Sequence, residues 1–147
     1  MAHSFPPRSL RIANKVIVFL QRVGLPLGTM HLLTVPGRRT GRPRTTPVSP
    51  LTVGGHRYVI GGYAKGDWVR NARAAGEGVL ARGRRAERVR LVDLPEPERR
   101  PVLRAFPAQV PHGVSMFVKT GVVAEPTPDG FEAAAPHVAV FRIDASP

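Results

Sequence analysis

The chain contains no cysteine. Disulfides, thiolate metal sites, iron–sulfur clusters and cysteine nucleophiles are therefore excluded. Aromatic residues are scarce: one Trp, two Tyr and six Phe among 147 residues. A single-strand nucleic-acid binder needs stacking platforms, and no strand pair here is rich in Phe or Tyr. No helix-turn-helix pattern is present, so no nucleic-acid partner is expected. Acidic residues number 10 against 22 Lys and Arg, a net charge of +12. Lysine is itself rare, at positions 15, 65 and 119 only. The positive field is thus almost wholly guanidinium. No apolar run approaches the ~20 residues of a membrane span. The run Val16-Ile17-Val18-Phe19-Leu20 is bracketed by Asn14, Lys15, Gln21 and Arg22. It is shorter than the ~7–15-residue core of a secretory signal, and a cytoplasmic location is expected. The histidines (His3, His31, His56, His112, His137) are scattered, with no pair at zinc-helix spacing. No metal site is expected.

What is present points to one globular domain. Hydrophobic residues make up 42%, and the length suits one domain with a real core rather than two. Residues 1–7 read as a flexible start, and 8–147 as a single domain. A positive surplus favours anionic partners: nucleic acid, membrane lipid or a polyanionic ligand. A composition rich in Arg, Ala, Gly and Pro explains the arginine total. It explains less well why Arg38, Arg39, Arg42 and Arg44 crowd together with Gly37, Thr40 and Gly41. Guanidinium forks match phosphate and carboxylate oxygens, and a glycine turn aims backbone N–H groups at the same anion. The plain alternative is a solvated hairpin tip.

The pattern of elements is mostly β. Residues 9–23 carry Leu10, Ala13, Ile17 and Leu20 on one stripe and Arg11, Asn14, Lys15 and Arg22 opposite. This predicts an amphipathic helix ended by Gly24 and Pro26, packed on a sheet. Its alternative use is peripheral contact with a membrane surface through the basic face. Strands are predicted at 31–35, at 45–53 with breaks at Pro47 and Pro50, and at 57–60 after a Gly54-Gly55 turn. Asp67 is expected to cap a short helix through Ala75, stopped near Gly76. A hairpin is predicted over 79–82 and 86–92. Asp93 and Glu96 have capping-box spacing before a helix at 97–105, shortened or kinked by Pro101. Residues 107–136 are hard to assign, with 114–118 read as extended. A last strand is predicted over 137–143. About six strands and two or three helices give an α+β fold, a split antiparallel β-barrel with an N-terminal amphipathic helix and short covering helices.

Leu33-Thr34-Val35-Pro36-Gly37-Arg38-Arg39-Thr40-Gly41-Arg42-Pro43-Arg44 resembles the signature of the deazaflavin (F420)-dependent nitroreductase and quinone reductase family. A second block, Gly61-Gly62-Tyr63-Ala64-Lys65-Gly66-Asp67-Trp68-Val69-Arg70-Asn71-Ala72, is similar to the family's loop with Trp and then Asn three residues on. Residues 85–98 and the closing strand 138–143 fit in order and spacing. Arg39 and Thr40 stand where Lys and Ser are common, which keeps charge and hydroxyl. Asp67 stands directly before Trp68, where relatives often carry Pro, and the C-terminal region lacks a tyrosine cluster.

The resemblance implies a split barrel of the flavin-binding superfamily holding coenzyme F420, with FMN as the alternative cofactor. Arg38, Arg39, Thr40 and Gly41 would face its phosphate or acidic tail. Arg44 would lie nearer the ring, with Pro47 and Val48 on the following strand. Gly62, Ala64 and Lys65 would approach the ring, and Trp68 and Asn71 occupy the family's helix positions. The implied enzyme is an F420H2-dependent reductase passing a hydride to an electron-poor small molecule: a quinone, an enone or a nitro compound. Such a reaction needs a hydrogen-bond donor for the acceptor oxygen and a proton source. Tyr63, His112 and Ser115 are the candidates. Two other readings stay open: a split barrel that binds without turnover, and a basic nucleic-acid-binding barrel. The sequence leaves the oligomeric state undetermined.

Overall fold

The computed structural model describes residues 30–62 and 66–146. The expected helix at 9–23, the start at 1–7, and Tyr63, Ala64 and Lys65 lie outside them. Seven strands are described: β1 (His31–Pro36), β2 (Pro43–Val48), β3 (Leu51–Val53), β4 (His56–Gly61), β5 (Glu77–Arg82), β6 (Arg85–Asp93) and β7 (Ala139–Ala145). Four helices accompany them: α1 (Asp67–Ala75), α2 (Glu96–Gln109), α3 (Pro111–Lys119) and α4 (Pro128–Ala133). The sheet order is β2-β1-β5-β6-β7-β4-β3, with every pair antiparallel. Strands β2 and β3 form the two edges, yet only Ser49 and Pro50 separate them in sequence. Three extended steps reach about 11 Å. The two edges must therefore curl round toward each other, giving the α+β split barrel that the sequence suggests.

Each face of the curled sheet has its own apolar layer. Inside, Leu33, Val35, Val59, Val89 and Phe141 pack against Val69 and Ala72 of α1. Outside, Leu51 and Val140 pack against Leu103, Phe106 and Phe131 of α2 and α4. Helix α1 seats closely because residue 61 is glycine: a Cβ there would come within 2.5 Å of Val69 Cγ2 and 3.1 Å of the Trp68 ring. The free edge of β3 is covered by the Gln109 side chain, which accepts from Thr52 N at 2.9 Å and donates to Thr52 O. This blunts an edge that would otherwise invite another strand.

Several local expectations are corrected. Residues 45–53 are two strands on opposite edges rather than one, because the chain crosses the split at Ser49-Pro50. The residue flanking α1 is Gly66, with no side-chain cap. Asp67 is the first helical residue, and its carboxylate accepts from Arg38 instead. The Asp93–Glu96 capping box does not form. Asp93 ends β6 and binds Arg73, and Pro95 flanks the helix. Helix α2 runs through both Pro101 and Pro107. An interior proline costs about 3 kcal/mol. Burying Val102, Leu103 and Phe106 offsets that at roughly 1.5–3 kcal/mol each. Residues 114–118 are helical within α3, not extended. Their β-branched content misleads, because Phe117 packs at 5.2 Å on Phe106 and 5.7 Å on Phe131. The last strand begins at Ala139, since His137 and Val138 form backbone turns onto Ala134.

Candidate active site

The arginine loop is a closed turn between β1 and β2. Gly37 N donates to Arg42 O and Gly41 N to Gly37 O, each at 2.8 Å. Gly41 takes φ 73°, a left-handed conformation that suits glycine. Arg42 N donates to Thr40 Oγ1 at 3.2 Å. Below the loop, the hydroxyls of Thr34 and Thr45 lie 2.8 Å apart across the ladder. Helix α1 faces the loop. Asn71 Oδ1 accepts from Arg38 N at 3.1 Å and from Arg38 NH1 at 2.9 Å. Asp67 Oδ1 accepts from Arg38 NH2 at 3.3 Å.

Between loop and helix lies an open groove of ≈ 620 Å³ whose lining includes Arg38, Arg39, Thr40, Arg44, Asp67 and Asn71. A second groove of ≈ 500 Å³ is predominantly apolar, with Val48, Ile60, Phe106, Met116 and Phe117 among its walls. Thr46 and Trp68 line both, so the cationic and apolar spaces meet at those two side chains. Trp68 is braced from behind by Phe141, ring centroids 5.9 Å apart.

Apart from Arg38, which pairs with Asp67, the charge in the cationic groove is unspent. Elsewhere acids pair with arginines: Arg57 with Glu87, Arg73 with Asp93, Arg100 with Glu96, Arg104 with Asp129 and Glu132, and Arg142 with Asp144. The guanidiniums of Arg104 and Arg142 are pushed up by those hydrogen bonds, and the Asp144 carboxyl is held down by Arg142. Among the described residues Arg39, Arg42 and Arg44 form no ion pair, and Asp67 is the only carboxylate lining the groove. Unpaired guanidiniums beside a hydroxyl and amide donors form a receptor for phosphate or carboxylate oxygens.

The residues expected from sequence divide between these spaces. Arg38, Arg39, Thr40, Arg44 and Asn71 line the cationic groove with Trp68. Pro47, Val48, Gly62 and His112 line the apolar one. Gly41 is exposed and lines neither groove. Ser115 is exposed on α3 and also lines neither. Sequence reasoning missed Thr45, Thr46 and Asp67 on the cationic side, and Met30, Ile60, Phe106, Val110, Met116 and Phe117 on the apolar side. Alternation along 44–48 could have found Thr46, since Arg44, Thr46 and Val48 pair with Val35, Leu33 and His31. Of the α2–α3 contributors only His112 is named from sequence; Phe106, Val110, Met116 and Phe117 come together by packing.

Fold and groove together define a class: a split-barrel α+β protein with an arginine-lined groove suited to an anionic ligand. The comparisons carry this further. The family model described as F420H(2)-dependent quinone reductase matches residues 14–119. The chain belongs to that family. It is an F420H2-dependent oxidoreductase whose cofactor is coenzyme F420.

Among solved structures, a chain described as a domain-swapped dimer aligns with TM-score 0.56 and 16% identity, covering 95% of this chain and 100% of that one. A putative pyridoxamine 5'-phosphate oxidase from Listeria innocua aligns at 0.52 and 10%, covering 92% and 94%. A NimC/NimA-family protein from Clostridium acetobutylicum aligns at 0.53 and 14%, covering 84% and 81%. At such identities these likenesses speak for the fold alone. No curated protein matches the sequence significantly. Among the described residues no helix is long and apolar enough to cross a membrane, and no group of three His, Asp or Glu could hold a metal ion.

The residues present fit F420. Its phosphate and glutamate tail call for cations without competing acids, and Arg39 and Arg44 supply them. Asn71 is 6% exposed, lines the groove, and its Nδ2 has no acceptor among the described residues. A buried donor of that kind is costly unless a ligand oxygen satisfies it.

Proposed function

We propose that this chain reduces a quinone, with the cofactor's anionic end in the cationic groove and the quinone in the apolar groove. The observation that carries this reading is the junction at Thr46 and Trp68, two side chains that wall both the arginine-lined space and the apolar one. When bound, reduced F420 supplies a hydride, and a quinone takes up that hydride and one proton to become a hydroquinone. Arg39, Thr40 and Arg44 hold the phosphate and tail, and Asn71 Nδ2 donates to a ligand oxygen. Trp68 forms the floor where ring and acceptor meet. Pro47, Val48 and Gly62 would border the ring, and Ala64 and Lys65 keep the ring-side role that the family resemblance implies.

The apolar walls exclude water from the hydride path and favour a flat, uncharged acceptor over an anionic one. His112 lines that groove. On this reading His112 is one candidate donor to the oxygen on which charge develops, with Tyr63 as the second. Ser115, outside both grooves, is the weakest of the three. Enones and nitro compounds are acceptors of the same electron-poor type. The preference for a quinone rests on the family and on the apolar walls.

The test is titration of the purified protein with F420 and, separately, with FMN, followed by turnover with menadione, a nitroarene and a cyclic enone. F420 is expected to bind at least tenfold more tightly than FMN, and menadione to be reduced fastest. Failure to bind F420 ends this reading. Binding without reduction of any acceptor returns the chain to a carrier role.

A further inference from the structure

Arg38 is engaged before any ligand arrives. Its side chain is 22% exposed, whereas Arg39 and Arg44 are exposed. One oxygen, Asn71 Oδ1, takes both its backbone N–H and its NH1 group. That pair of bonds fixes the loop's main chain and the arginine's side chain at once. Asp67, one turn earlier on the same helix, takes NH2. The guanidinium therefore lies along α1, with part of its charge already answered. Two donors converging on Asn71 also set the amide's orientation, since only its oxygen can accept them.

Helix α1 is in turn fixed to the barrel by Val69 and Ala72, which are fully buried. The loop is thereby referenced to the core through a single buried amide, 33 residues away in sequence. We propose that Asn71 is a positioning residue. Through Arg38 it clasps the arginine loop to α1, so that Arg38 holds the loop while Arg39 and Arg44 meet the ligand's anions. The last clause rests on the F420 reading, whereas the clasp itself does not.

Two measurements separate these parts. Amide hydrogen exchange over residues 37–42 of the ligand-free protein reads the clasp. In Asn71→Ala, exchange in the loop is expected to rise at least tenfold. In Asn71→Asp, which keeps an oxygen for both Arg38 donors, it should return to the wild-type rate. Wild-type protection in Asn71→Ala overturns the proposal. So does an Asn71→Asp loop as open as that of the alanine variant.

F420 affinity against salt reads the division of labour. Arg39→Ala and Arg44→Ala should flatten the salt dependence while leaving loop exchange unchanged. Asn71→Ala and Arg38→Ala should each weaken F420 about tenfold or more, and the double variant should lose less than the sum of the two, because the loss through the clasp is shared. Additive losses would show that the two residues act separately and overturn the clasp. If wild-type protein fails to bind F420, the assignment of Arg39 and Arg44 falls, while the exchange experiment still decides the clasp.

Discussion

The cationic end of the groove is drawn from eight residues of one hairpin, within 37–46, and from the first turns of α1, whereas the apolar end gathers side chains from Met30 to Val122. The first is held by directed hydrogen bonds: Gly37 to Arg42, Gly41 to Gly37, Arg38 to Asn71. The second is held by ring packing, with Phe106, Phe117 and Phe131 within 5.2–5.7 Å of one another. A hydrogen-bonded receptor can lose one guanidinium that faces the ligand and keep its shape. A packed wall stands or falls with its neighbours. The two ends should therefore answer mutation differently.

Phe131→Ala should produce the largest effect. Phe131 is fully buried against Phe106 and Phe117, and such a truncation costs about 3–5 kcal/mol. Urea denaturation should show that loss, together with reduced quinone turnover. F420 affinity at the cationic end should change less, and an equal collapse of both would erase the contrast between them.

Arg44→Ala should come next. Removing a charge-assisted bond to an anion costs about 1.5–3 kcal/mol, which is roughly a 10–100-fold loss of F420 affinity by fluorescence titration. The KM for menadione and the urea midpoint should hardly move. A matching rise in menadione KM would mean that the two ends are not separate.

Met116→Ser is smaller still. Met116 is 69% exposed, so stability should stay within about 0.5 kcal/mol. The quinone KM should rise a few-fold while F420 affinity holds.

The smallest effect lies away from the groove and serves as a control. Arg142 holds the Asp144 carboxyl below its ordinary 3.8, mainly through a side-chain hydrogen bond. The folded value lies below the unfolded one. The bond's stabilisation is therefore present above pH 3.8 and is lost as pH falls through the lowered folded value. Both side chains are about one-third exposed, so solvent screening keeps the effect slight. The gap in stability between wild type and Asp144→Asn should be detectable at neutral pH and close in acid, with F420 binding unaffected throughout.

The same contrast accounts for what could be read in advance. The loop at 37–44 and the short helix 67–75 were legible because their chemistry is local: glycines, arginines and a Gly76 stop lie next to one another in sequence. The strand series was legible from turns and alternation, and the split barrel followed. The apolar end was legible only at Pro47, Val48, Gly62 and His112. Residues 107–136 carry helices that begin with proline at Pro111 and Pro128, and the first of them contains the β-branched Val114 and Val118. Their state is decided by three phenylalanines meeting across the fold. Asp67 also misled, since a helix-capping residue by type proved to be an arginine's partner. Asn71 was legible as a site position, but its hold on Arg38 was not, because 33 residues intervene.

The crossing at Ser49-Pro50 ties the two rims of the sheet together, and Pro47, Val48 and Ser49 form part of the wall beside it. That short stitch acts as a ruler for the slot. Chain length there sets how far the rims can part, and so how thick an acceptor can slide between them. The arginine loop closes between β1 and the start of β2, at the opposite end of β2 from the stitch, and is held to α1. Lengthening the stitch by a residue or two would widen the range of acceptors while leaving the handle that grips the cofactor in place.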